Sequence, residues 1–219
     1  MKARNIMLVV LFTSSVTAIP TPPLSGNLST LGGSIVATGG NWTEVEGTLA
    51  WDITPSSKGY QYVYTLTLDG GGIVNPKSPS HLIIGTSDDF GIGKKDIFNI
   101  QSITGDFLTI EIDLYGEGPD NPSIPGYIYG IKVDSIQGEG EDPVVFAFSF
   151  ESPRIPVYQN FYTKGGEKEA MWNSGFSEPE TGAFIVAPDT TYVPEPSSVA
   201  LGFIGLSLIG WLRRRNFVV

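Results

Sequence analysis

Period-two alternation of apolar and polar residues runs through most of this chain, and it leaves little room for anything but an all-β fold. Tyr60, Tyr62, Tyr64, Leu66 and Leu68 alternate with Gln61, Val63, Thr65 and Thr67. Leu108, Ile110, Ile112 and Leu114 repeat the pattern, as do Tyr127, Tyr129, Ile131 and Val133, and then Val144, Phe146, Phe148 and Phe150. Side chains two positions apart share one face of a strand, so each set marks the buried side of a half-buried strand. Val45, Leu49, Trp51 and Ile53 predict another strand, with Gly47 expected at a bulge. Glycine- and proline-rich stretches at 70–72, 76–79, 116–125 and 138–143 supply turns between them. Between positions 25 and 190 no amphipathic pattern is long enough for a helix of ten residues. Strands joined by turns, without intervening helices, predict an antiparallel β-sandwich of jelly-roll-like form.

The two ends of the chain follow other rules. Lys2 and Arg4 precede a compact apolar stretch from Ile6 to Phe12, and Val16-Thr17-Ala18 offers small residues for cleavage. This is the layout of a signal peptide over 1–18, cut by signal peptidase after Ala18. At the other end, Ser197 to Leu212 is an uncharged apolar run of 16 residues. As a helix it is about 24 Å long, somewhat short for a bilayer core of about 30 Å. Trp211 and the arginines Arg213, Arg214 and Arg215 can sit at the interface and cover the shortfall. Arginines there keep that end in the cytoplasm, so a signal peptide in front and this tail behind place residues 19–193 outside. An ordinary single-span anchor fits the same physics. Pro194 and Pro196 stay out of the helix and present a stiff, extended peptide on its outer side.

The order Pro194-Glu195-Pro196, a short apolar helix rich in small residues, then an arginine cluster resembles the PEP-CTERM sorting signal, here over 194–219. The resemblance implies processing by exosortase, an integral-membrane cysteine protease or transpeptidase of Gram-negative bacteria. It implies a membrane-anchored precursor that ends at the cell surface or in the extracellular matrix. A weaker resemblance, carried by GNWTEVEGTLAWDI, YQYVYTLTL, SHLIIGTSDDF and YTKGGEKEAMWNSGF, is to β-rich ectodomains of such proteins, and it implies no reaction. The expected organisation is a signal peptide (1–18), a sandwich ectodomain (19–176), a tether rich in Pro, Glu and Thr (177–193) and the sorting signal. Phe184 to Val186 offers the tether one further strand.

Without Lys2, Arg4 and Arg213–Arg215, 8 of the 13 basic residues remain; without Glu195, 22 of the 23 acidic ones do, a net charge of −14. Such a surface repels nucleic acid and anionic lipid. The chain has no cysteine, so the domain depends on its core alone.

Candidate chemistry is sparse. His81 is the one histidine. Its neighbour Ser80 would face the other side of a strand, and no serine stands in a nucleophile elbow. The acidic stretches Asp88-Asp89, Asp113 with Glu117 and Asp120-Asn121, and Glu139 with Glu141 and Asp142 carry the oxygens that Ca²⁺ prefers, without the spacing of an EF-hand. Solvated loops are the simpler reading, and no cofactor is expected. Trp42 and Trp172 lie in Gly- and Asn-containing segments and are the candidates for exposed, sugar-stacking surfaces. Three functions follow: a non-catalytic surface or matrix protein linked to exopolysaccharide and biofilm, a carbohydrate-binding module, or a secreted hydrolase built around His81.

Overall fold

The computed structural model describes residues 22–188 apart from 92–95, 105 and 137–141. The signal peptide with Ala18, the sorting signal with Pro194, Glu195, Pro196 and Arg213–Arg215, and the acidic Glu139 and Glu141 lie outside the described residues. Among the described residues, no helix is long and apolar enough to cross a membrane.

In chain order the first strands are β1 (Ser25–Ser29), β2 (Ile35–Thr38), β3 (Glu46–Ser56), β4 (Gly59–Asp69) and β5 (His81–Gly85). Next come β6 (Phe98–Thr104), β7 (Asp106–Tyr115), β8 (Ile128–Ile136) and β9 (Val144–Ser152). The last are β10 (Pro156–Gln159), β11 (Phe161–Lys164), β12 (Ala170–Asn173) and β13 (Ile185–Pro188). A 3₁₀ turn at Gly40–Thr43 and a single helical turn, α1 (Ser174–Ser177), are the helical elements described. All the strand pairings are antiparallel, as the all-β reading expects.

Two sheets share one core. The first runs β1-β3-β4-β9-β6 and the second β2-β12-β11-β5-β8-β7, with β10-β13 as a separate pair. Leu49, Tyr64, Phe146 and Phe148 from the first meet Leu82, Ile84, Val133 and Phe161 from the second in one buried cluster. The alternation is visible residue by residue: Tyr62, Tyr64, Leu66 and Leu68 are buried and the residues between them half-buried. Burial of such side chains stabilises the fold by about 25 cal/mol per Å² of apolar surface. Rings of Tyr62 and Phe150 stack with centroids 5.4 Å apart, and Phe148 packs on Tyr64 at 5.5 Å. At both lateral edges the chain crosses between sheets. β1 leads to β2 there, and a single residue separates β6 from β7.

Four sequence expectations change, the first being Leu114, which is 57% exposed rather than on a buried face. Gly47 is not at a bulge, because β3 and β4 pair in unbroken register from Glu46↔Asp69 to Ser56↔Gly59. Its lack of a side chain serves the opposite sheet, since a Cβ would come within 2.6 Å of Met171 Sδ. Tyr127 lies before β8 rather than on its inner face, and it is 80% exposed. The stretch 177–193, expected to be mainly a tether, holds a strand at Ile185–Pro188 that is buried at every position, close to the further strand expected at Phe184 to Val186. Tyr64 Oη donates to the Val186 carbonyl at 2.9 Å and ties this strand into the core.

The outer face of the second sheet carries a smaller core. Ile83, Tyr162 and Trp172 point outward, and Ile124 from the β7–β8 connection covers them together with Ile128 at the start of β8. That roof is the reason β5 is buried on both faces.

Candidate functional site

His81 sits where the β7–β8 connection is fastened to the second sheet. It pairs with Asp134 on β8 and Lys164 on β11, and its side chain is 5% exposed. Its Nε2 lies 3.0 Å from Asn121 Oδ1. Asn121 donates its amide to the Gly116 carbonyl at 3.4 Å, so its oxygen faces the ring and Nε2 carries the proton. Burial, with help from Lys132 and Lys164, lowers the pKa from 6.5 to about 4, against the pull of Asp134 and the Asn121 hydrogen bond. The imidazole is therefore neutral at pH 7. Ser80 Oγ is 3.5 Å from Nδ1, but it donates to the Lys164 carbonyl at 3.1 Å. The serine proton is thus turned away from the base that would have to take it. Two further bonds fasten the same connection: Tyr162 Oη to the Pro122 carbonyl at 2.8 Å and Lys164 Nζ to the Pro119 carbonyl at 3.0 Å. His81 is one of three pins in a structural clasp.

The two tryptophans expected to be exposed are both buried. Trp42 is 0% exposed, although its neighbours are Gly and Asn. The 3₁₀ turn directs the indole inward, where Nε1 donates to the Lys77 carbonyl at 2.9 Å. A methyl group on Gly165 would come within 2.8 Å of the ring, so the β11–β12 turn closes over it. The same corner holds Glu169, 3% exposed, with Lys77 Nζ at 2.6 Å and the Lys168 backbone N–H at 3.3 Å. Burial alone would raise the Glu169 pKa, but these donors hold the carboxyl below its ordinary value. Trp172 is 8% exposed and forms the floor of the outer core. Neither ring offers a face on which a sugar could stack.

Three of the acidic candidates, Asp89, Asp113 and Asp142, are engaged locally, while Asp88, Glu117 and Asp120 are exposed. Asp89 accepts from Ser87 Oγ at 2.9 Å and pairs with Arg154, whose guanidinium also holds Asp96 at 2.9 Å. Asp113 accepts from the Leu114 N–H. Asp142 accepts from the N–H groups of Gly70 and Gly72 at 2.8 and 2.7 Å. Among the described residues no group of three or more His, Asp or Glu side chains is arranged to hold a metal ion.

A feature absent from the sequence reading is an open groove of about 470 Å³ at one end of the sandwich, lined in part by Leu31, Trp42, Glu44, Glu46 and Asp69. Glu46 and Asp69 are directly opposite across the β3–β4 hairpin, a like-charge pair that costs stability. The signal was present in the sequence. Placing the turn between Ser56 and Gly59 fixes every partner along the hairpin.

Outside this domain, one family match bears on how the chain is sorted. A family model for the PEP-CTERM protein-sorting motif matches residues 193–216. The chain carries a PEP-CTERM sorting motif. The motif implies an exported protein, held at the membrane before processing, with exosortase as its processing partner. No curated protein and no solved structure matches the chain. The PEP-CTERM match covers none of the sandwich, so it speaks for sorting and not for what the domain binds.

Proposed function

We propose that this is a non-catalytic surface or matrix protein, exported by its signal peptide, cut by exosortase, and associated through its acidic sandwich with exopolysaccharide in a biofilm. The observation that carries this reading is the sorting motif at 193–216, set directly behind a compact β domain. The clasp geometry of His81 supports a structural rather than a catalytic histidine, since the Ser80 hydroxyl is bonded to a backbone carbonyl. The nested pairs β4–β9 in one sheet and β5–β8 in the other support a jelly-roll-like wrap of a folded-over ribbon. The carbohydrate-binding alternative loses both of its residues, because Trp42 and Trp172 are buried.

Intact-mass measurement of the surface form tests the reading. It is expected to lack the signal peptide and everything from about Pro194 onward, and Glu195→Ala is expected to leave a full-length, membrane-bound precursor. A mature protein that keeps Arg213–Arg215 would sink the exosortase assignment and restore a plain anchor.

A further inference from the structure

The sorting motif begins almost where the fold ends. β13 is buried through Pro188, and its lead-in is fixed by bonds to the Ala183 carbonyl from Asn173 Nδ2 at 2.8 Å and the Gly175 N–H at 2.9 Å. Only residues 189–193 separate this strand from Pro194. With Pro194-Glu195-Pro196 also outside the apolar run that begins at Ser197, eight residues lie between, and however they are arranged they span at most about 29 Å. A domain of about 170 residues has a radius of gyration of about 15 Å. That reach is about twice the radius of gyration but less than the roughly 33 Å that the 11-residue strands β3 and β4 put between the two ends of the sandwich, so the end from which the leash leaves lies nearer the bilayer than the other.

That end can be named. Pro188 pairs with Pro156, two residues beyond Arg154, and the Arg154 carbonyl accepts from Tyr62 Oη at 2.7 Å. Gly59, which closes the β3–β4 turn, lies so near Ser152 and Pro153 that a Cβ would stand 2.5 Å from the Ser152 carbonyl oxygen. The incoming chain arrives at the same end. Trp51 Nε1 donates to the Pro23 carbonyl at 3.1 Å, and the Ile53 N–H donates to the Leu24 carbonyl at 2.8 Å. Exposed Leu24, Ile155 and Lys58 edge this surface. Leu31, Ile73, Glu46 and Asp69 occupy the opposite end, separated from it by the 11-residue strands β3 and β4. At about 3.3 Å per residue those strands put roughly 33 Å between the two ends.

We infer that the precursor stands on the membrane with its β3–β4 turn end against the lipid headgroups and its acidic groove directed outward. The inference rests on the sorting reading above, and it adds which surface meets the bilayer and which is free for partners. Two facts favour this orientation beyond the leash. Lys58 and the apolar Leu24 and Ile155 suit a headgroup surface, and the Asp89 carboxylate at the same end is paired with Arg154, whereas Glu46 and Asp69 at the far end stand opposite each other as like charges.

The chain has no cysteine, so single-cysteine variants of the full-length protein report local access to a bulky, membrane-impermeant maleimide. In membranes from cells lacking exosortase, Lys58→Cys is expected to react severalfold more slowly than in the processed form, while Ile73→Cys reacts equally in both. Insertion of about twenty Gly/Ser residues after Thr190 should remove the protection at Lys58→Cys. Equal protection at both positions, or protection at Ile73→Cys alone, would overturn the orientation while leaving the sorting reading intact. Recovery of the precursor in the soluble fraction would instead overturn the sorting reading.

Discussion

The two hydrophobic cores of this domain are built by different rules. Between the sheets, the polar atoms of the large aromatic residues have partners inside the fold: Tyr64 Oη on the Val186 carbonyl, Tyr62 Oη on the Arg154 carbonyl, Trp42 Nε1 on the Lys77 carbonyl and Trp51 Nε1 on the Pro23 carbonyl. On the outer face of the second sheet, the small core around Ile83, Tyr162 and Trp172 lies under a loop rather than a sheet. There Trp172 Nε1 and Tyr115 Oη are buried without a partner in the structure, and the roof is held by the His81, Tyr162 and Lys164 pins. A sheet supplies backbone ladders that hold a core closed, whereas a loop must be pinned by side chains, some of which titrate. The inner core is accordingly the source of stability and the outer one the place where conditions act.

The largest expected effect tests the inner core. Phe148→Ala removes a ring that touches Tyr64, Phe146 and Phe150, and urea unfolding should show a loss of about 3–5 kcal/mol. A smaller loss would mean that the sheets close up readily. Acid tests the outer core next. The folded His81 pKa of about 4 lies below its ordinary 6.5, so the unfolded chain takes up the proton first as pH falls. Its contribution is complete above pH 6.5 and declines toward pH 4 by about 1.4 kcal/mol per unit. The stability lost between pH 7 and pH 4.5 should therefore shrink by about 2–3 kcal/mol in His81→Gln. An unchanged loss would remove His81 from the clasp.

Two changes that each remove one polar group then sharpen the contrast. Tyr64→Phe leaves the buried Val186 carbonyl without its donor and should cost about 1–3 kcal/mol by the same measurement. Trp172→Phe removes a donor that has no partner; the lost volume is offset, and stability should stay level or rise by less than about 1 kcal/mol. If Trp172→Phe proves as costly as Tyr64→Phe, the two cores do not differ in the way described.

Much of the inner core could be read in advance, because one chemical signal controls it. Tyr62 to Leu68 and Val144 to Phe150 alternate in sequence, and Tyr62, Tyr64, Leu66, Leu68, Val144, Phe146, Phe148 and Phe150 all join the core between the sheets. The outer core was legible only as a hint. His81-Leu82-Ile83-Ile84-Gly85 is too continuously apolar for a half-exposed strand, yet nothing local says that residues near Asn121 supply the cover. Trp42 and Trp172 misled for a related reason. Glycine and asparagine neighbours mark a turn, but a turn can fold inward under another turn, as the 3₁₀ turn does beneath Gly165. Gly47 was legible as exceptional but not as a gap for Met171, a contact from the other sheet.

What the sequence determined by itself was everything governed by short-range periodicity and chain order. That includes the all-β class, the acidic surface, and the sorting motif at 193–216, since an alternating strand or an apolar run bounded by charges is legible wherever it folds. Tertiary structure alone decided which histidine bond, which tryptophan face and which end of the sandwich matter. Those depend on residues such as Asn121, Gly165 and Tyr64 arriving from distant positions. β13 joins the two kinds of information, because its burial fixes the fold only five residues before a motif that sequence order had already placed.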